Sequence, residues 1–256
     1  MPTALRSAIV AIHAAPVLAV PALAQIPDEF SNLQFFPEDI PKEELVENMR
    51  QFSFALGVRC THCHVAKPDN PSSVGDFASD DKAEKRKARV MLEMVKAINS
   101  QHLTQLPERG EIHVDVSCAT CHGGVTTPIR LEDRMELVRA QDGLDAALQS
   151  YRNLRDRYYG RAAYDFGPRS LMNLGERLTD AGHADDAVAV FELNREFFPE
   201  SPEVVFNLAK AYVDADRSED AMAAYRAVLE LAPDGWWAST ATKAIQELEE
   251  RNDGVE

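Results

Sequence analysis

All four cysteines of this 256-residue chain fall in two copies of one pentapeptide, Cys60-Thr61-His62-Cys63-His64 and Cys118-Ala119-Thr120-Cys121-His122. The spacing is restrictive. Two thiols three residues apart lie on one side of a helical turn, where they can add to the two vinyl groups of a single porphyrin. A histidine directly after the second thiol then comes beneath the ring as an iron ligand. C-x-x-C-H is the attachment signature of c-type haem, and it predicts two covalently bound haem c groups, held by Cys60, Cys63 and His64 and by Cys118, Cys121 and His122. Zinc is the weaker reading, because residues 64–117 separate the two pairs, far beyond zinc-ribbon spacing. A thioredoxin-like motif would occur once and beside a βαβ pattern, which this chain lacks.

The beginning of the chain gives these cysteines a compartment. Arg6 precedes an apolar run from Ala8 to Ala24, which is broken by Pro16 and Pro21 and closes on Ala22-Leu23-Ala24. This pattern predicts a secretory signal over residues 1–24 and a soluble, periplasmic product. The formal net charge of -15 and a pI near 4.9 argue against nucleic acid as a partner. The acid excess is concentrated in residues 170–256, which hold 19 acidic against 7 basic side chains.

The sixth iron ligands must come from elsewhere in the chain. After Pro41 a helical stripe of Leu45, Met49, Phe52 and Leu56 runs to Gly57, and Met49 in that stripe is a candidate ligand. A second helix is expected from Asp81 to His102, with Asp81 and Glu84 as a capping box and Met91, Met94, Val95 and Ile98 on one face. Met91, Met94, His102 and His113 are all candidates for the other iron, and periodicity does not choose among them. The basic run Lys82–Arg89 reads as a solvated helix face. The alternative sends Arg86 or Arg89 to a haem propionate or an anionic partner.

The segment Asn32–Arg130 resembles one half of the tetrahaem cytochrome subunit of photosynthetic reaction centres. The resemblance lies in Met49-Arg-Gln-Phe-Ser-Phe-Ala-Leu-Gly-Val-Arg-Cys60, Ala88-Arg-Val-Met91-Leu-Glu-Met94-Val-Lys-Ala-Ile-Asn99 and Cys118-Ala-Thr-Cys-His-Gly-Gly-Val-Thr-Thr-Pro128. In that family the helix before a haem motif gives a methionine to iron. The resemblance therefore implies Met49 for the haem on Cys60/Cys63 and Met91 for the haem on Cys118/Cys121. It also implies electron transfer to redox partner proteins, such as a membrane-bound electron-transfer complex or a reaction centre. Four occupied protein ligands would make the protein a carrier and not an enzyme. A peroxidase-like dihaem enzyme with one open haem site, or a redox-sensing scaffold, are the alternatives.

The rest of the chain repeats itself at an offset of 34. Asn173-Leu174-Gly175 matches Asn207-Leu208-Ala209, Ala187 matches Ala221, Phe191 matches Tyr225 and Pro199 matches Pro233. Thirty-four is the tetratricopeptide period. Helix pairs are expected at 169–199 and 203–233, with a capping helix from Trp236 to Arg251. A half repeat at Gly143–Tyr159 is marked by Ala147 and Tyr151. The expected architecture is mainly α: signal 1–24, linker 25–41, a dihaem cytochrome c domain of few regular helices and long loops at 42–130, connecting helices and the half repeat at 131–168, and a helical solenoid at 169–251. A solenoid of this kind would bind a protein or peptide, and its acidity would favour a basic partner.

Overall fold

The computed structural model describes residues 26–107, 110 and 113–253. The expected signal at 1–24 lies outside them. Among the described residues there are ten α-helices and one two-stranded hairpin, so the chain is mainly α, as the sequence reading expected. No helix among them is long and apolar enough to cross a membrane. The chain divides into two compact units, one formed by residues up to 47 with 59–96, the other by 48–58 with 97–253. This border runs through the segment 42–130.

In the first unit, α1 (Lys42–Leu56) starts with Glu43 and Glu44, which suit the positive end of the helix dipole. The pentapeptide at 60–64 follows as a 3-10 turn. Next comes a feature the sequence reading did not foresee. Strands β1 (Val65–Lys67) and β2 (Asn70–Asp76) form an antiparallel hairpin, paired Val65 with Asp76, Ala66 with Val74 and Lys67 with Asn70. Pro68-Asp69 makes the two-residue loop, and Val74 is buried. Helix α2 (Ala83–Ala97) begins two residues after the expected Asp81. The Asp81 N–H donates to Ser79 Oγ at 3.1 Å. The Asp80 and Asp81 carbonyls accept from Arg86 Nη1, and with its N–H bound to Ser79 Oγ, Asp81 does not make the expected capping box with Glu84.

The second unit begins with the last turns of α1. These close as a Schellman motif, with Val58 N–H on Ser53 O (3.0 Å), Gly57 N–H on Phe54 O (3.3 Å) and Gly57 at φ +66. After a π-helical turn at Ile98–His102 and a 3-10 turn at Leu103–Gln105, the second pentapeptide forms the short helix α3 (Cys118–His122).

From residue 131 on the chain is a stack of helix pairs: α4 (Leu131–Asp142) with α5 (Leu144–Tyr158), α6 (Pro168–Asp180) with α7 (Ala184–Phe197), α8 (Pro202–Asp214) with α9 (Ser218–Leu231), and α10 (Trp236–Asp253) against α9. Pro168 and Pro202 open their helices, where a missing N–H costs nothing. Pro199 and Pro233 stand two residues beyond α7 and α9. Each pair can approach closely because small residues face aromatics. Gly175 lies under the Phe191 ring, and Ala209 and Tyr225 are both buried at the matching positions. The expected half repeat is a full pair. Ala147 and Tyr151 on α5 are buried like Ala187 and Phe191, and α4 packs beside them and against α6. A longer connection at 159–167 sets that pair out of the 34-residue register. One continuous core runs from Leu131 to Leu248.

Candidate haem-attachment sites

The first motif sits in a 3-10 turn in which His62 N–H bonds Arg59 O (2.9 Å) and His64 N–H bonds Cys60 O (3.0 Å). Cys60 is exposed and Cys63 half-buried, and both are free thiols. Burial pushes the Cys63 thiol up, with Glu84 adding to the effect. The hairpin then turns the chain back so that Phe77 lies beside the histidine, the two rings 5.1 Å apart. His64 Nδ1 is 3.1 Å from Phe77 O. A carbonyl only accepts, so Nδ1 must carry the proton and the lone pair stands on Nε2, the nitrogen that can bind iron. Burial first, then the charge of Lys85, hold His64 below its ordinary value, which keeps the ring neutral as metal ligation requires.

The 77–80 segment is itself fixed from α2. Lys85 Nζ donates to the carbonyls of Phe77 (2.9 Å), Ala78 (2.8 Å) and Ser79 (2.9 Å) and lies 3.3 Å from Asp80 Oδ1. Arg89 pairs with Asp80 at 2.8 Å and donates to Asn32 O at 3.1 Å. Asn32 Nδ2 donates to Ala78 O at 2.6 Å. Arg89 foremost, then Asn32 and Lys85, hold the Asp80 carboxyl far below the usual carboxylate range. The basic run is therefore not simply a solvated face: Lys85 and Arg89 are 13% and 18% exposed and committed to the loop, while Arg86 is exposed and donates to backbone carbonyls. Lys85, Arg86 and Arg89 tie down the loop that carries the histidine's acceptor.

The second motif reaches the same arrangement by other means. Thr120 Oγ1 accepts the Ser117 N–H at 2.9 Å at the start of α3. Gly123, at φ +53, ends the helix. A Cβ on Gly123 would meet Ala162 O at 2.3 Å, and one on Gly57 would meet Gly124 O at 2.1 Å. Gly124 N–H bonds Ala55 O at 2.8 Å. Gly123 and Gly57 thus let backbone pack on backbone. Val125 N–H returns to His122 O (2.9 Å), and the Val125 carbonyl takes His122 Nδ1 at 2.9 Å. His122 is buried with its Nε2 again left for a metal. Upstream, Asn99 pairs both ways with Val116, Nδ2 to Val116 O and Oδ1 from Val116 N–H, each at 2.8 Å. Burial raises the Cys118 thiol.

Met49 is half-buried on α1. Met91 and Met94 on α2 are 38% and 44% exposed. His102 ends the π turn, and His113 bonds Gly110 O at 3.3 Å. The residues that orient the two histidines escaped the sequence reading: Phe77 and Val125 act through carbonyls, which carry no sequence signal. Lys85 was read only as part of a charge run.

The residues present fit haem c in two ways. Each motif pairs two free thiols with a histidine whose Nε2 is left open by a carbonyl-bound Nδ1. In addition, no residue of α2 is fully buried, and its apolar Val90, Met91 and Met94 are left uncovered. An amphipathic helix with its apolar face open is what remains when the main apolar partner is a prosthetic group. Among the described residues no three Cys, His, Asp or Glu side chains converge as an ion site of the zinc kind.

Comparison with known proteins agrees with this chemistry. Residues 69–167 match the family model of the photosynthetic reaction centre cytochrome C subunit. That stretch takes in Met91 and the second motif, and begins just after the first. Residues 178–243 match a tetratricopeptide repeat model. Cytochrome c-554 of Chloroflexus aurantiacus is 40% identical over 76 residues, which is 29% of this chain and 16% of that protein. The chain therefore spans under a fifth of that relative's length. Among solved structures, the first TPR of Spaghetti (RPAP3) bound to the HSP90 peptide SRMEEVD and the first TPR domain of human RPAP3 are each 18% identical. Both have a TM-score of 0.33 and cover 48% of this chain, against 90% and 91% of their own. The chain thus has one segment similar to the photosynthetic reaction centre cytochrome C subunit family, followed by one similar to the tetratricopeptide repeats, which supports a cytochrome c-like domain joined to a repeat module.

Proposed function

We propose that this chain is a periplasmic dihaem c-type cytochrome that carries electrons, with its repeat module holding a protein partner. The observation that carries the reading is the hydrogen-bond pattern shared by His64 and His122, each with Nδ1 bound to a backbone carbonyl and Nε2 open. A hydrogen-bonded Nδ1 fixes ring and tautomer, and in metal sites it is the usual support for a ligating histidine. Cys60 and Cys63, and Cys118 and Cys121, form the thioether links. Haem c when bound supplies a one-electron iron couple. Met49 and Met91 are the proposed distal ligands, whose sulfur favours ferrous iron and a high potential. With both irons saturated by protein, no coordination position is left for a substrate. The acid-rich repeats suit a basic partner, reached faster through electrostatic steering.

The test is a pyridine haemochrome assay with intact mass on protein made in cells that mature c-type cytochromes. Two haems per chain and loss of residues 1–24 are expected. A colourless product, or one weighing only its amino acids, overturns the reading. For the ligands, Met91→Ala should abolish the sulfur-to-iron charge-transfer absorption of one ferric haem. An unchanged spectrum would transfer the role to Met94, His102 or His113. Rapid carbon monoxide binding by the reduced wild type would contradict a pure carrier.

A further inference from the structure

We propose that Lys85 is a positioning residue that raises the reduction potential of the haem on Cys60/Cys63, through the carbonyl it shares with His64. This rests on the haem reading above. Phe77 O accepts both His64 Nδ1 (3.1 Å) and Lys85 Nζ (2.9 Å). A carbonyl has lone pairs for both donors, but an ammonium on one of them draws electron density from the other. The imidazole then meets a weaker acceptor, keeps more of its Nδ1 proton and pushes less charge through Nε2 towards a metal. The positive charge beside the ring acts in the same direction, because it disfavours ferric iron more than ferrous. Lys85 is held for this role. Its side chain is only 13% exposed, and its three donors go to Phe77, Ala78 and Ser79. None of them is left for the acceptor of His122, which is Val125 O.

The countercharge is also defined. Asp80 lies 3.3 Å from Lys85 Nζ but makes its shorter pair, 2.8 Å, with Arg89. The three groups carry one net positive charge. Removing the lysine charge and removing the aspartate charge should therefore move the same haem in opposite directions. Loss of loop structure would move it the same way in both variants, so the pair separates charge from mere scaffolding.

The experiment is optical spectroelectrochemistry of the matured full-length protein, fitted as two one-electron components, for wild type, Lys85→Gln, Lys85→Arg and Asp80→Asn. Lys85→Gln keeps a donor for the carbonyls and should lower one component. The change should approach tenfold in its oxidised-to-reduced ratio at fixed potential, about 59 mV for one electron. Lys85→Arg should stay near wild type, and Asp80→Asn should raise the same component. The other component should move less throughout. Shifts of the same sign in Lys85→Gln and Asp80→Asn, equal shifts of both components, or no shift in haem-loaded protein would overturn the role of Lys85. Protein without haem at Cys60/Cys63 would instead overturn the reading beneath it.

Discussion

Gly175→Ala pits two well-measured effects against each other. Alanine is the better helix former by about 1 kcal/mol, so in an open helix the change would stabilise. Here the added Cβ would stand 2.5 Å from both Cε2 and Cζ of Phe191 and 2.9 Å from its Cδ2. Phe191 is 3% exposed and part of the continuous core of the stack, so its ring has little room to retreat. Overpacking of this kind costs about 1–3 kcal/mol, and three close ring atoms place it near the upper end. The net expectation is a loss of about 2 kcal/mol, which for a helical module of this size lowers Tm by roughly 6–10 °C. The assay is thermal unfolding followed by tryptophan fluorescence. Both tryptophans, Trp236 and Trp237, open the last helix of the stack, so the signal belongs to the solenoid. Adding Phe191→Leu removes the colliding ring atoms and should recover most of the loss that Gly175→Ala causes beyond Phe191→Leu alone. At the matching position of the next repeat the direction reverses. Ala209→Gly should cost about 1–2 kcal/mol through helix propensity and a lost buried methyl. A Gly175→Ala protein that melts higher than wild type would refute the claim that the aromatic selects the glycine.

Gly57→Ala combines a left-handed φ with a backbone clash at Gly124 O. It should cost more than about 2 kcal/mol and disturb the visible spectrum of the haem proposed at His122; a spectrum and melt like wild type would contradict this. The Asp80 carboxyl is depressed in the folded chain, so its stabilising contribution is complete above the unfolded value near pH 4 and is lost as pH falls through the folded value. Acid titration of the visible spectrum should therefore show a low-pH transition at the His64 site that Asp80→Asn removes. Tyr212 and Tyr225 are both pushed up to about 12, chiefly by burial, with Glu192 adding to the first and Asp214 and Glu247 to the second. An unfolded tyrosine ionises near pH 10, so the repeats should lose stability as pH rises from about 10 to 12. Tyr151 and Tyr164 are raised by burial as well, so four of the six tyrosines should lag in a phenolate absorbance titration; simultaneous ionisation of all six would count against their burial.

Sequence periodicity located the repeats because a solenoid meets only its neighbours, so each pair writes the same local rules into the chain: small residues under aromatics, prolines past the second helix. Gly175 and Ala209, Phe191 and Tyr225 were legible for that reason. The pair α4–α5 was half legible. Its Ala147 and Tyr151 obey the same rule, while the longer 159–167 connection hides the register from a comparison at fixed offset. The hairpin at 65–76 left little trace, since Val65-Ala66-Lys67 is short and Asn70–Asp76 is polar apart from Val74.

The two pentapeptides carry the haem reading unaided, because thiol spacing and the adjoining histidine are covalent facts of the chain. Which nitrogen of each histidine is tied to the backbone, and which is left free, is a different kind of fact. It depends on Phe77 O and Val125 O, backbone atoms that every residue possesses, and on a hairpin and a glycine turn that carry them into place. The fate of the basic run was equally beyond the sequence, because a lysine on a helix serves solvent, ligand or loop according to what folds back within its reach. Here three carbonyls do, and only the folded chain brings them there.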